Sequence, residues 1–263
     1  MSQPAASRVD GSQARRAQTR WVQSRGTRPD ATINLVCMPH AGGSASFYRI
    51  WGDILPVQIE THLVQYPGRE ERLAEPCLRV MAELADAVAE AIVPLFARPV
   101  VLFGHSLGAS LAYEVTLRSE LVGLRPRLLI ASGSLPPHRR PRKTFHLVSD
   151  AALVAELRRE AATSEEMLGS SEFLEILLPM VRTDYELIET YHPASPALVH
   201  TPLAVFHGSA DPEVTDPQVR AWSEVTSSGR LACHRVFDGG HFYLRDHQTD
   251  VLAALTDLIC ALP

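Results

Sequence analysis

The sequence predicts an α/β fold, a mostly parallel central sheet flanked by helices with an inserted helical lid. Three observations lead there. From residue 33 onward, short β-branched or apolar runs alternate with amphipathic ones; a Gly-x-Ser-x-Gly pattern stands at one strand-to-helix junction; and a single long interruption precedes the last strands. The strands are read at Ile33–Met38, Thr61–Tyr66, Val100–Phe103, Leu128–Ser132, Leu203–His207 and Leu231–Phe237, each bounded by Gly, Pro or polar turns. Helices are read at Leu78–Phe96, where Leu78, Met81, Leu84, Ala85, Val88 and Ile92 keep helical spacing, at Leu107–Ser119, and at Thr249–Leu262.

The interruption spans about seventy residues between Ser132 and Leu203, roughly twice an ordinary βαβ crossover. Pro136-Pro137, the basic run His138 to Lys143, and helical stretches near 149–160, 164–168 and 171–190 read as a lid over about 136–190, with plain packing helices as the alternative. One domain is expected over 29–263. Residues 1–28, with six arginines among Ser, Gln and Ala, read as a disordered Arg-rich leader; they lack the apolar core of a secretory signal, and an organellar transit peptide is the lesser alternative.

Composition narrows the function classes. The chain is long enough to bury a large core, and its apolar runs are far shorter than the roughly 20 residues that span a bilayer. A formal net charge of −5 argues against general nucleic-acid binding. Cys37, Cys77, Cys233 and Cys260 lack the close pairs of metal or redox motifs and read as reduced core residues, which implies a cytoplasmic setting without a metal or other cofactor.

Gly104-His105-Ser106-Leu107-Gly108 follows the strand that ends at Phe103 and opens a helix, the context in which Gly-x-Ser-x-Gly forms a tight turn exposing its serine. A glycine-flanked helix cap is the bland alternative. A serine hydroxyl needs a histidine base and a carboxylate that fixes the imidazole, in the chain order serine, acid, histidine. Asp211, in Gly208-Ser209-Ala210-Asp211-Pro212, and His241, in Gly239-Gly240-His241, each follow a strand's carboxyl end, so Ser106, Asp211 and His241 are the candidate triad of an α/β-hydrolase. Asp216 and Asp238 are the competing acids. Among eleven histidines, position selects His241; His105 is placed inside the elbow, and His40, His207 and His234 are read as structural. An anion hole would join the amide of Leu107 to one near Ala41, in the turn Pro39-His40-Ala41-Gly42-Gly43-Ser44.

These blocks, with Gln65-Tyr66-Pro67-Gly68-Arg69-Glu70 and Arg72, Glu156-Leu157-Arg158, Leu178-Pro179-Met180-Val181-Arg182-Thr183-Asp184-Tyr185 and Gly239-Gly240-His241-Phe242-Tyr243-Leu244, resemble the type II, or editing, thioesterases of polyketide and non-ribosomal peptide synthesis, from about residue 20 to the end. The hydrolase motifs are widely shared; the Tyr-Pro-Gly-Arg and Leu-Pro-X-X-Arg-X-Asp blocks are more specific. The long leader and Asp238 depart from the pattern. The resemblance implies a free-standing cytoplasmic enzyme, taken as a monomer, that hydrolyses stalled acyl groups from the phosphopantetheine arm of acyl or peptidyl carrier proteins. Carrier proteins of this kind are acidic, so Arg139, Arg140, Arg142 and Lys143 are candidate docking residues; a solvated basic loop is the alternative. Rival functions are a small-molecule carboxylester hydrolase, because triad and elbow do not distinguish oxygen from sulfur leaving groups, and a non-catalytic carrier-binding protein.

Overall fold

The computed structural model describes residues 20–24, 28–160 and 163–262. Seven strands, β1 (Val22–Ser24), β2 (Ile33–Met38), β3 (Ile59–Val64), β4 (Val100–His105), β5 (Leu128–Ser132), β6 (Leu203–Gly208) and β7 (Cys233–Phe237), form one sheet in the order β1-β3-β2-β4-β5-β6-β7. All neighbours are parallel except β1, which runs antiparallel to β3 with Val22 opposite Val64. The helices are α1 (Trp51–Ile54), α2 (Met81–Ile92), α3 (Leu107–Leu121), α4 (Asp150–Arg159), α5 (Glu165–Leu168), α6 (Ser171–Thr190), α7 (Asp216–Val219), α8 (Tyr243–Asp246) and α9 (Gln248–Cys260). Residues 1–19 and 25–27 of the expected leader lie outside the described residues. Within that stretch the expectation of disorder gives way at 21–24 and at 28. Trp21 carries the Arg72 guanidinium 4.0 Å above its ring, Val22 is buried, and Arg28 donates to the carbonyls of Pro56 and Ile59.

Alternation along the strands sorts side chains into two cores. Val36, Met38, Leu102, Leu129, Ala131 and Val205 face α2 and α3; Leu35, Cys37, Val101, Phe103, Ile130 and Phe206 face Tyr48, Trp51 and the apolar side of α9. Helix α2 is shorter than its periodic pattern. Val80 stays extended ahead of it, and the chain tightens into a 3-10 turn at Val93–Ala97, where Pro94 has no N–H to continue the α ladder. Helix α3 is buried on nearly every side along its first half rather than amphipathic, because it is sandwiched between the sheet and α2. Of the four cysteines, all unpaired, Cys37 is a core residue and Cys260 is exposed at the end of α9, contrary to the reading of all four as core.

The segment between β5 and β6 carries α4, α5 and α6, which pack on one another through Leu153, Leu157, Leu168, Leu177, Leu178 and Val181. No helix among the described residues is long and apolar enough to cross a membrane. After β2 the chain builds β3 on one side and then crosses to start β4 on the other, so β2 and β4 are neighbours whose connections leave in opposite directions. This reversal opens a crevice at the carboxyl ends of the strands, where the loops after β2, β4, β6 and β7 meet.

Candidate active site

Ser106 leaves β4 and enters α3 through a backbone conformation, φ 55° and ψ −114°, that L residues rarely adopt. Two contacts force it. A Cβ on Gly104 would lie 1.9 Å from the Gly108 carbonyl oxygen, and one on Gly108 would lie 2.1 Å from that of Met38 at the end of β2. The turn is therefore closed at both ends by backbone against backbone. The Ser106 N–H donates to the Ser132 carbonyl at 2.8 Å, tying the turn to β5. Behind it Ser132 Oγ bonds His105 Nδ1 at 2.9 Å and Tyr243 Oη at 2.6 Å, and burial pushes the His105 pKa far down, so that ring is a neutral spacer inside the elbow.

His241, in the loop after β7, bonds Asp211 Oδ2 through Nδ1 at 2.8 Å, with both side chains almost wholly buried. The other Asp211 oxygen accepts the Glu213 N–H at 2.8 Å, which fixes the carboxylate in the loop after β6. Burial opposes a charge on His241, but the hydrogen bond and charge of Asp211, with Glu160 and Glu213 beyond, outweigh it and leave the pKa above the usual 6.5. The competing acids lie elsewhere. Asp216 faces His207, His234 and Arg220, and Asp238 is exposed. Ser106 and His241 line one cavity together with Ala41 and Leu107.

The loop after β2 supplies Ala41. Its turn closes with Gly43 N–H on the His40 carbonyl at 3.0 Å, and Gly42 takes φ 75°, which a glycine adopts freely. The Gly42 N–H donates to Asp184 Oδ2 of α6 at 2.7 Å, while Arg69 donates to the Gly43 carbonyl at 2.8 Å and grips Asp184 with two further bonds of 2.8 and 2.9 Å. Ala41 lines the same cavity as Leu107, the first residue of α3, whose N–H is among those a helix start leaves without an acceptor one turn back. His40 is wedged between Phe47 and Phe242, with ring centroids 4.6 and 4.7 Å away, and burial drives its pKa down to about 3; it is a neutral packing ring that also lines the cavity.

The sequence model of the thioesterase domain family matches residues 33–259. The chain belongs to that family. It is 38% identical over 239 residues to thioesterase PikA5 of Streptomyces venezuelae, covering 90% of this chain and 84% of that one. Among solved structures it is similar to the type II thioesterase BorB of the borrelidin biosynthetic cluster, with TM-score 0.82, 38% identity, and 90% of this chain and 97% of that one covered. It is similar also to the RedJ thioesterase of the prodiginine pathway in Streptomyces coelicolor, with TM-score 0.82, 31% identity, and coverage of 97% and 91%. The expected α/β-hydrolase fold and the resemblance to type II thioesterases hold, and the chain is a serine thioesterase.

In this thioesterase the segment between β5 and β6 roofs the cavity with charged side chains that the sequence reading left at the surface or did not single out. The basic run divides. Arg139 lies outside, paired with Glu224 at 2.9 Å, and Arg142 is exposed; Arg140 and Lys143 line the cavity, so they do not belong to an outward docking strip. The 3-10 turn ends at Arg139, and Arg140 leaves it with extended backbone, φ −68° and ψ 135°. Lys143 pairs with Glu213, and Arg159 bridges Glu213 at 2.7 Å and Glu156 at 2.8 Å. Glu160 accepts the Tyr185 hydroxyl at 3.2 Å; burial, reinforced by neighbouring carboxylates, raises its pKa.

Two groups among the described residues bring three metal-type ligand atoms within 4.8 Å: His207, Asp216 and His234, and Glu156, Glu160 and Glu213. In the first, the two imidazoles bond each other at 3.1 Å and Asp216 is held by Arg220; in the second, Arg159 and Lys143 neutralise the carboxylates.

Proposed function

We propose that this thioesterase hydrolyses acyl groups from the phosphopantetheine arm of acyl or peptidyl carrier proteins, as an editing enzyme of polyketide or non-ribosomal peptide synthesis. Ser106 is the nucleophile, His241 the general base and Asp211 its orienting carboxylate. The observation that carries this reading is a serine held at φ 55° in one cavity with an imidazole whose Nδ1 is bound to a buried carboxylate. Nδ1 engaged with Asp211 leaves Nε2 as the basic nitrogen, available to take the Ser106 proton.

Attack of Ser106 Oγ on the thioester carbonyl forms the C–O bond, and the oxyanion is met by the amides of Leu107 and Ala41. Collapse breaks the C–S bond. A thiol with pKa of about 8 to 9 leaves readily as thiolate, so general-acid assistance matters less than for an amine. Water deprotonated by His241 then attacks the acyl-serine, and the free acid leaves. The chemistry needs side chains, two backbone amides and water, and no metal or cofactor of the enzyme's own; the pantetheine belongs to the partner.

The segment over 136–190 acts as a lid, since Arg140, Lys143, Glu156, Glu160 and Tyr185 all face the cavity from it. Arg139 and Arg142 are left as docking residues for an acidic carrier, working in the cytoplasm beside the synthase. Charge reversal at both lowers turnover of carrier-bound substrate at low salt if they dock it, and leaves it unchanged if they do not. The test of function compares an acyl carrier protein thioester with the matching simple ester, followed by intact-protein mass spectrometry of the carrier. Faster unloading of the carrier supports this reading; a strong ester preference contradicts it.

A further inference from the structure

Arg140 is the cavity's unusual cation. Lys143 and Arg159 both meet carboxylates, whereas Arg140 donates through Nη2 to Ser134 Oγ, and its Nη1, closed off from bulk water, has no acceptor among the described residues. A buried charged donor left unmet is costly, and an arginine fork is shaped to hold a flat oxygen acceptor. Its anchor is close to the chemistry. Ser134 follows Ser132, whose carbonyl holds the Ser106 N–H, and Gly133, whose position lies against the His241 ring, with a Cβ built there 3.4 Å from Cε1. Arg140, Ser106 and His241 line the same cavity.

We propose that Arg140 is an acyl-recognition residue and that the preferred acyl chains carry a neutral acceptor oxygen, a hydroxyl or keto group close to the thioester, rather than plain alkyl chains. The surroundings choose the neutral oxygen over a carboxylate. Glu156, Glu160, Glu189 and Glu213 line the cavity against two lining cations, Arg140 and Lys143, so a further carboxylate there would add to an excess of acidic groups even though Arg159 and Lys143 pair with some of them. A hydroxyl or ketone accepts from Nη1 without adding charge. The subsite binds and aligns without covalent chemistry, and it rests on the reading of Ser106 as the attacking group in a thioesterase.

The test uses the full chain with butyryl, 3-hydroxybutyryl and malonyl thioesters of one carrier protein, comparing kcat/KM. The wild type is expected to favour 3-hydroxybutyryl over butyryl by about tenfold or more, with malonyl below both, in keeping with a hydrogen bond to a charged donor. Arg140→Met brings the first ratio to about one, its loss of kcat/KM falling more on 3-hydroxybutyryl than on butyryl. Arg140→Lys, which keeps charge but not the fork, gives an intermediate ratio and serves also if the Met variant does not fold. A ratio unchanged in the folded variants, or a wild type that prefers butyryl or malonyl, overturns the proposal. Absence of turnover on all three thioesters overturns the functional reading instead, and this one with it.

Discussion

Arg69 and Asp184, 115 residues apart in the chain, face each other through two parallel hydrogen bonds of 2.8 and 2.9 Å and are both nearly sealed from solvent. The pair does more than neutralise itself. Asp184 also takes the Gly42 N–H and Arg69 the Gly43 carbonyl, so the longest helix of the β5–β6 segment, the loop after β3 and the loop bearing Ala41 are locked by one ion pair.

Breaking such a pair from one side strands a buried charge, which costs about 3–5 kcal/mol. Asp184→Asn is expected to lower stability on that scale in urea unfolding and to reduce kcat at least tenfold with little change in KM, because the loss falls on alignment of the Ala41 amide rather than on substrate binding. Adding Arg69→Met to Asp184→Leu should recover part of the stability lost in either single variant. Strict additivity of the two would show that the residues act independently.

With His241 as the proposed general base, its raised pKa sets the acid limb of activity. A general base works as the neutral imidazole, so kcat/KM rises with pH through a value above 6.5, and Asp211→Asn moves that limb to lower pH while lowering kcat by about 10⁴, as for comparable triads. The same shift contributes stability that is fully present below about 6.5 and is lost as pH rises through the folded value. A pH–rate profile on wild type and variant checks the first sign, and urea unfolding measured across pH checks the second; an acid limb that stays put in Asp211→Asn speaks against the pairing.

The left-handed Ser106 predicts an inverted stability order. Glycine ordinarily costs about 0.5–1 kcal/mol relative to alanine, yet at φ 55° and ψ −114° it removes strain of about 1–3 kcal/mol that alanine keeps. Ser106→Gly should melt at or above Ser106→Ala by calorimetry, with both inactive. A clearly lower melting temperature for the glycine variant would mean that the turn is not strained.

Much of this was legible because it depends on local pattern. The elbow is five consecutive residues between a strand and a helix, and Asp211 and His241 are found by asking which acid and which histidine follow the last two strands. β1 escaped notice because a three-residue strand sits within an Arg-rich stretch, and what orders it is the contact of Trp21 with the distant Arg72. The Arg69–Asp184 bridge joins two blocks that were visible singly, but no spacing rule connects residues that far apart. Arg140 was misplaced because a run of cations reads as solvated surface, and no local pattern marks that Arg140 and Lys143 line the cavity while Arg139 and Arg142 are exposed.

The most direct test of the central claim is intact-protein mass spectrometry of the enzyme mixed with an acylated carrier protein and quenched within one turnover, followed by peptide mapping. An acyl adduct on Ser106, absent in Ser106→Ala together with unloading of the carrier, is the predicted result. Continued unloading by Ser106→Ala, or an adduct mapped to another residue, would contradict the account.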